Sequence, residues 1–473
     1  MSNFIGRKEE TALLHALLQS SKSEFVAVYG RRRVGKTFLI RTVFEDRFDF
    51  QLTGQARSNL KQQLLNFQDT LQSVDPGESN KPPKSWFEAF GKLRRFLESR
   101  PSGKKVVFLD ELPWLDTPQS GFVSALEHFW NSWASARRDI LLIVCGSAAA
   151  WILKKLNNDR GGLHNRLTER IVLRPFTLLE TEDFLRSKGA TYDRYQLIEL
   201  YMTMGGIPFY LENVQINRSV AQNVDRMCFS PGGLLTTEYE NLYRSLFERH
   251  ERHTAVVEAI ALKGKGLTRK EILAITNLPD SGNTSMILDE LTQSGFIRQY
   301  YPFGSSRRAL FYQLIDPFTL FYLTFMKGTK AAGTGAWLSQ SDSPKWQAWS
   351  GYAFEYICRN HIDCIKKHLG IGGVYTEISA WRSEKAEKSA QIDLVIDRKD
   401  RIINLCEIKF STTSYLITKA YAESLRQKIQ TFKAESGTKK TVLLTFIAAN
   451  GLTSNEYSAQ LVHDTLDMNA LFD

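Results

Sequence analysis

Three ionisable side chains, Asp393, Glu407 and Lys409, interrupt two apolar runs in "QIDLVIDRKDRIINLCEIKF", residues 391–410. The runs flank a charged turn, Asp397–Arg401, and read as a β-hairpin. Alternate residues of a strand share a face, so Glu407 and Lys409 point the same way, roughly 7 Å apart along it. Pairing across the hairpin brings the Asp393 carboxylate toward Glu407. Two carboxylates that close repel each other unless a cation holds them. Magnesium takes such oxygens and keeps waters for a substrate. A lysine beside that ion can position the attacking water or neutralise the charge that develops at phosphorus. The expected chemistry is metal-assisted hydrolysis of a phosphodiester, with Asp393 and Glu407 as ligands and Lys409 acting on the transition state.

A second set of residues suits phosphate binding. In "EFVAVYGRRRVGKTFLIRTVF", residues 24–44, an apolar strand meets Gly30, Arg31, Arg32, Arg33, Val34, Gly35, Lys36 and Thr37, and Phe38 continues into a helix. This is the phosphate-loop spacing. The glycines let backbone amides turn toward phosphate oxygens, Lys36 reaches the β- and γ-phosphates, and Thr37 ligates magnesium. ATP with Mg2+ is the expected occupant. Asp110 ends the apolar run "VVFLD" and holds the ion through water, and Glu111 polarises the attacking water. Ser147 ends the strand "DILLIVCGS" and reads either as a γ-phosphate sensor or as a helix N-cap. Arg166 and Arg170 in "LHNRLTER" read as finger residues for an internal or neighbouring γ-phosphate, or as ion-pair partners on a helix.

These groups need a scaffold. The chain has 473 residues, 43% hydrophobic and 24% charged, enough for several domains with real cores. Its apolar runs are too short to span a membrane, and "MSNFIGRKEE" carries no signal-peptide pattern. Five cysteines without metal spacing read as reduced thiols, so a cytoplasmic location is expected. Strands near 24–29, 104–110 and 139–146 alternating with helical stretches imply a mostly parallel α/β sheet over residues 1–176. Helical segments follow over 177–250. Residues 251–327 carry three short helices and then two strands around a Gly-Ser-Ser turn, the order of a winged helix-turn-helix. There Asn283, Thr284 and Ser285 are placed for base edges, with Arg307 and Arg308 near phosphates. Residues 328–344 are poor in apolar side chains and read as a linker, and the last domain spans 345–473.

The net charge is +10, and the stretch 398–440 carries ten Lys/Arg against four Asp/Glu, which makes DNA the expected partner. Arg426, Lys428 and Lys433 on the basic helix 419–433 are placed to track phosphates, unless that helix is merely solvated.

"FIGRKEE", "GRRRVGKT", "FLDELPWL", "GGLHNRLTERIVLRPF" and "GGIPFYL" together resemble the archaeal-type ATPase family, in the AAA+/STAND region of P-loop ATPases, and "DPFTLFYLTF" with the end of the chain resembles the C-terminal domain that family often carries. The resemblance implies an ATPase core, a helical lid around Gly205–Leu211, oligomer-dependent hydrolysis, a winged helix and a C-terminal nuclease-like domain of the DUF234 type. The hairpin itself resembles the PD-(D/E)XK nuclease superfamily, with a restriction-endonuclease-like α/β fold. Its upstream helical acid matches Glu355 in "WSGYAFEYICRNH", a further metal ligand, with Tyr352 and Phe354–Ile357 anchoring the helix. No proline precedes Asp393; Gln391 stands before Ile392. The expected function is an ATPase whose nucleotide state controls a magnesium-dependent DNA nuclease. The alternative is a STAND-like switch or DNA-binding regulator with an inactive nuclease-like domain.

Overall fold

The computed structural model describes residues 5–158, 166–264, 266–304, 310–329, 335–341, 343–383 and 390–473. The chain divides into two compact units, Met1–Pro175 and Phe176–Asp473.

In the first unit, β1 (Glu24–Tyr29), β2 (Phe50–Thr53), β3 (Lys105–Asp110), β4 (Ile140–Gly146) and β5 (Glu169–Val172) form one sheet in the order β2-β3-β4-β1-β5. Every pairing is parallel. All residues of β1, β3 and β4 are buried, which is why these strands read as unbroken apolar runs. The four-residue β2 and β5 do not stand out in the sequence, because each carries exposed positions over a length too short to show a period. Trp86, Phe90, Phe122 and Phe129 pack with Phe25 into the core over one face of the sheet. Parallel strands end together, so Tyr29, Asp110 and Gly146 bring their following loops to one edge. That edge is where open α/β sheets bind ligands.

The second unit opens with helices from Leu178–Ser187 through Glu238–Leu246. Within it, Gly205–Leu211 leads from a helix end into the helix Pro208–Glu212, and the Phe176 amide donates to the Gly206 carbonyl at 2.6 Å. The helices His250–Ala261, Arg269–Thr276 and Gly282–Gln293 come next. A small antiparallel sheet joins β6 (Leu267–Thr268), β7 (Ile297–Tyr300) and β8 (Phe311–Leu314) in the order β6-β8-β7. Its far end is docked: the Phe303 amide donates to the Ala380 carbonyl at 2.9 Å, and its ring packs 5.0 Å from Phe432. The expected linker is corrected over its described residues 335–341. Trp337 is 2% exposed within a cluster of Phe229, Phe321, Phe325, Trp346 and Trp349, and the Asp225 carboxylate accepts from the Gly335 and Trp337 amides at 2.8 Å each. A single tryptophan anchors a segment that is otherwise poor in apolar residues.

The C-terminal sheet contains β9 (Thr376–Arg382), β10 (Gln391–Arg398), β11 (Ile402–Lys409), β12 (Thr441–Ala448) and β13 (Asp464–Leu466) in the order β13-β12-β11-β10-β9. The first three are antiparallel and the last three parallel. The helix Lys419–Ser436 makes the crossover from β11 to β12 and buries Ala422, Leu425 and Phe432. Among the described residues no helix is long and apolar enough to cross a membrane.

Candidate functional site

The first candidate site is built on the loop after β1. Gly30 has φ 151°, and a Cβ there would meet the Leu173 carbonyl oxygen at 2.2 Å, so the loop leaves the strand only through glycine. Arg33 and Gly35 take left-handed φ of 69° and 89°, and the helix Lys36–Val43 starts immediately. A loop so curled turns successive amides toward one point, next to the positive end of the helix. Arg31 and Val34 are buried, Arg32, Arg33 and Thr37 half-buried, and the Phe38 ring is exposed. Lys36 Nζ donates to the carbonyls of Gly30 at 3.0 Å and Arg31 at 2.9 Å and to Ser147 Oγ at 3.1 Å. Burial depresses this ammonium below the usual lysine range, and nearby Cys145, Glu111 and Asp110 only partly offset that. A desolvated cation held on three neutral oxygens is a ready partner for phosphate.

The acids at the end of β3 meet this loop. Thr37 Oγ1 donates to Asp110 Oδ2 at 2.9 Å, and the Glu111 amide donates to Asp110 Oδ1 at 3.0 Å. Two oxygens paired so closely beside a lysine suit a small hard cation. Glu111, itself left-handed at φ 47°, accepts from Ser147 Oγ at 3.0 Å and the Ser147 amide at 3.3 Å. The Ser147 hydroxyl thus links Lys36 to Glu111.

The second candidate site lies on the β10–β11 hairpin. Leu394 pairs with Cys406, so Asp393 is the next position toward Glu407 on the opposite strand. The β9–β10 register shifts between Ile392 and Val395, a bulge that re-aims Asp393. Its carboxylate accepts from Gln391 Nε2 at 3.4 Å and the Ile408 amide at 3.5 Å, both weak contacts. Glu407 is far better satisfied. It accepts from Lys409 Nζ at 2.9 Å, Tyr421 Oη at 2.5 Å and Lys428 Nζ at 2.9 and 3.1 Å. Burial alone would raise Glu407, but the two ammonium groups and the tyrosine hydroxyl hold it below the usual carboxylate range. Asp393 moves the other way, raised by burial and by the Glu407 charge. Glu355, on the helix Pro344–Asn360 with Phe354, Tyr356 and Ile357 buried beside it, is raised to about 8 by burial and by Asp393. Asp393, buried, and Glu355, half-buried, are therefore an acid pair that a divalent cation would compensate, whereas Glu407 already has its cations. Among the described residues no group of three or more His, Cys, Asp or Glu is disposed to hold a metal ion.

The raised acids make a pH prediction. A carboxyl held near 8 in the fold and at its ordinary 4.5 when unfolded keeps its proton longer in the native state. Its contribution to stability is complete below about 4.5 and is lost as pH rises through about 8. In chelator, unfolding of the wild type should become easier across that window, and Glu355→Gln should flatten the slope. An unchanged slope in the variant would remove Glu355 as its source.

Residues 4–214 match the model of an ATPase domain predominantly from Archaea. The chain carries an archaeal-type ATPase domain. The uncharacterized protein MJECL04 of Methanocaldococcus jannaschii is 24% identical over 411 residues, covering 86% of this chain and 87% of that protein. The uncharacterized ATP-binding protein MJ0423 of the same organism is 43% identical over 44 residues, 9% of this chain and 75% of that protein. A solved structure, the Walker-type ATPase paby2304 of Pyrococcus abyssi, aligns with 68% of this chain and 96% of its own at a TM-score of 0.50 and 21% identity, a likeness of fold.

Some expected residues stand elsewhere. Arg166 is exposed and precedes β5, whose Glu169 lies level with Val26 near the start of β1. Gly30 is four residues further on, roughly 13 Å at strand rise, and Arg166 is set back in the opposite direction. Arg166 is therefore at the wrong end of the sheet to reach the phosphate loop of its own ATPase domain. Arg170 lies in β5 beside Ala27, which excludes the helical ion-pair reading. Thr284 is buried, with its hydroxyl on the Pro279 carbonyl at 2.7 Å, and cannot read bases, while Asn283 and Ser285 are exposed. Arg307 and Arg308 lie outside the described residues. Lys428 turns inward onto Glu407 and does not share a phosphate-tracking face with Arg426, which donates to Gln460, or with the exposed Lys433.

Two contributors escape a reading of the sequence alone. Arg7, left-handed at φ 57° and buried, donates to the Val34 carbonyl at 3.3 Å and the Arg174 carbonyl at 2.5 Å, bracing the phosphate loop. Tyr421 donates to Glu407, and nothing in its spacing announces that.

Proposed function

We propose that this protein binds and hydrolyses ATP at the phosphate loop of its ATPase domain and couples nucleotide state to a magnesium-dependent DNA nuclease centre at Glu355, Asp393, Glu407 and Lys409. The observation that carries the first half is the Lys36 ammonium, desolvated and held on neutral oxygens beside the Thr37–Asp110 pair. Phosphate oxygens replace those contacts as ATP enters. Thr37 and Asp110 would hold magnesium, which supplies charge compensation to the β- and γ-phosphates. Glu111 is the base: it must leave Ser147 to accept a proton from the attacking water. Arg166 acts, in this reading, on nucleotide held by a neighbouring copy, which makes turnover depend on protein concentration.

The second half rests on the convergence of Asp393, Glu355 and Lys409 at one bulged strand end. Asp393 and Glu355 would hold the cation, whose chemistry is polarisation of the phosphodiester and its water. Lys409, oriented by Glu407, neutralises charge developing on the phosphoryl oxygens. One observation favours the switch reading: Glu407 is saturated by Lys409, Lys428 and Tyr421, so among the described residues no third carboxylate ligand is free in this arrangement. The two readings separate when purified protein is incubated with single-stranded, duplex and branched DNA and with RNA, with magnesium or manganese, with and without ATP. Cation-dependent DNA cleavage that responds to ATP supports the nuclease. ATP turnover with no cleavage of any substrate leaves the switch.

A further inference from the structure

Beside the acid pair stand two guanidinium groups, Arg298 and Arg359, and the Arg359 charge partly offsets the rise of the Glu355 carboxyl. Arg298 lies on β7, directly across from Gln313 on β8. Its Nε and Nη2 donate to Gln313 Oε1 at 3.0 and 2.5 Å, and its guanidinium lies 5.8 Å from the Tyr300 ring. Arg359, on the helix that carries Glu355, reaches the same Gln313 oxygen at 3.4 Å and donates its other terminal nitrogen to the Asp393 carbonyl at the bulge. The Nε of Arg359 is buried without a hydrogen-bond partner. Gln313 is turned to offer its oxygen to both arginines because its Nε2 donates to the Gly264 carbonyl at 2.8 Å and toward Tyr352 Oη at 3.3 Å.

The hydrogen bonds of these two cations go to neutral oxygens, and among the described residues neither is in ion-pair contact with a carboxylate. Like charges brought together in a half-buried place repel each other and lose hydration. A sequence that keeps them there, and spends a buried glutamine on bridging them, is suited to an anion that supplies the missing charge. The guanidinium fork matches phosphate oxygens better than any other side chain does.

We propose that Arg298 and Arg359, bridged by Gln313, form a phosphate subsite that binds a nucleic-acid backbone phosphate next to the one at Asp393. This rests on the nuclease-centre reading for its neighbour, but not for the binding itself. The small sheet β6-β8-β7 then contributes to the C-terminal site through Arg298 rather than through base contacts from its preceding helix. Its docking through Phe303 fixes Arg298 in place.

The test uses the full chain carrying Asp393→Asn, in chelator, so that cleavage does not interfere. Affinity for a fluorescent duplex DNA is measured against salt concentration. Arg298→Gln and Arg359→Gln should each weaken binding and flatten the slope of log K against log salt by about 0.9, one phosphate contact each. Arg298→Lys should retain part of the slope. Thermal melts in the Lys36→Ala background, which removes the other phosphate site, give a second readout. Inorganic phosphate should raise the melting temperature over chloride at equal ionic strength, and the Arg→Gln variants should lose that rise while melting no lower than their parent in chloride. DNA slopes and phosphate effects both unchanged by the arginine variants would overturn the subsite. A phosphate effect lost with DNA slopes unchanged would also overturn it, as a free-anion site rather than a backbone site. Failure of the wild type to cleave DNA bears on the nuclease reading alone, since both readouts here are of binding.

Discussion

Lys36→Ala should lower ATP turnover by on the order of a hundredfold or more and leave the protein folded. The Lys36 ammonium is held on the Gly30 and Arg31 carbonyls and the Ser147 hydroxyl, and burial already disfavours its charged form. Its removal takes away a charge the fold bears at some cost, and the Gly30 and Arg31 carbonyls it leaves lie where nucleotide and water must enter. Stability in the absence of nucleotide should therefore change little. Glu111→Gln provides the contrast. The amide oxygen still accepts from the Ser147 hydroxyl, so labelled ATP should bind with near-normal affinity while single-turnover hydrolysis slows. Wild-type turnover in a folded Lys36→Ala protein would remove the phosphate loop from the chemistry.

Glu407→Gln should destabilise the second unit by about 3 kcal/mol, lowering its melting transition by on the order of 5 °C or more, as well as abolish DNA cleavage. Simple repulsion between Asp393 and Glu407 predicts the opposite, a neutral or stabilising change. The structure reverses that sign for Glu407, because its carboxylate is the counter-ion of Lys409 and Lys428 and the acceptor of Tyr421. An amide leaves two partly buried ammonium groups uncompensated. Both lysines keep some contact with water, which places the loss at the lower end for a broken buried pair. Asp393→Asn has no such partners to orphan and should be neutral or mildly stabilising. Because Glu407 is held below its ordinary range, its contribution is present above the unfolded pKa and lost as pH falls through the folded one, opposite in sign to Glu355. Denaturant unfolding in chelator at pH 7 measures the difference. A Glu407→Gln variant as stable as Asp393→Asn would mean that the lysines are compensated by solvent.

The sequence made the parallel core legible because β1, β3 and β4 are buried on both faces and leave long apolar signatures. It also announced the hairpin, since three charges within apolar runs need an explanation. What it hid is long-range. Arg166 sits in a motif-like stretch, but only the β1–β5 register reveals that it lies at the far end of the sheet. Lys428 belongs to a helix whose composition suggests a solvated basic face, and only the crossover from β11 to β12 turns it onto Glu407. Arg298 and Arg359 are 61 residues apart in the chain, and Gln313, the side chain that joins them, is an unremarked strand residue. Trp337 shows the same limit in packing: one aromatic in a polar segment is enough to dock it.

One comparison tests whether a cation-dependent phosphodiester site operates apart from the ATPase site. Wild type and Asp393→Asn are assayed side by side for DNA cleavage in magnesium and in manganese, with ATP turnover recorded in the same samples. The wild type should cleave DNA and lose that cleavage in chelator, Asp393→Asn should not cleave, and both should turn over ATP equally. Equal cleavage by the two proteins, or none by either while ATP is hydrolysed, would contradict a separate phosphodiester site.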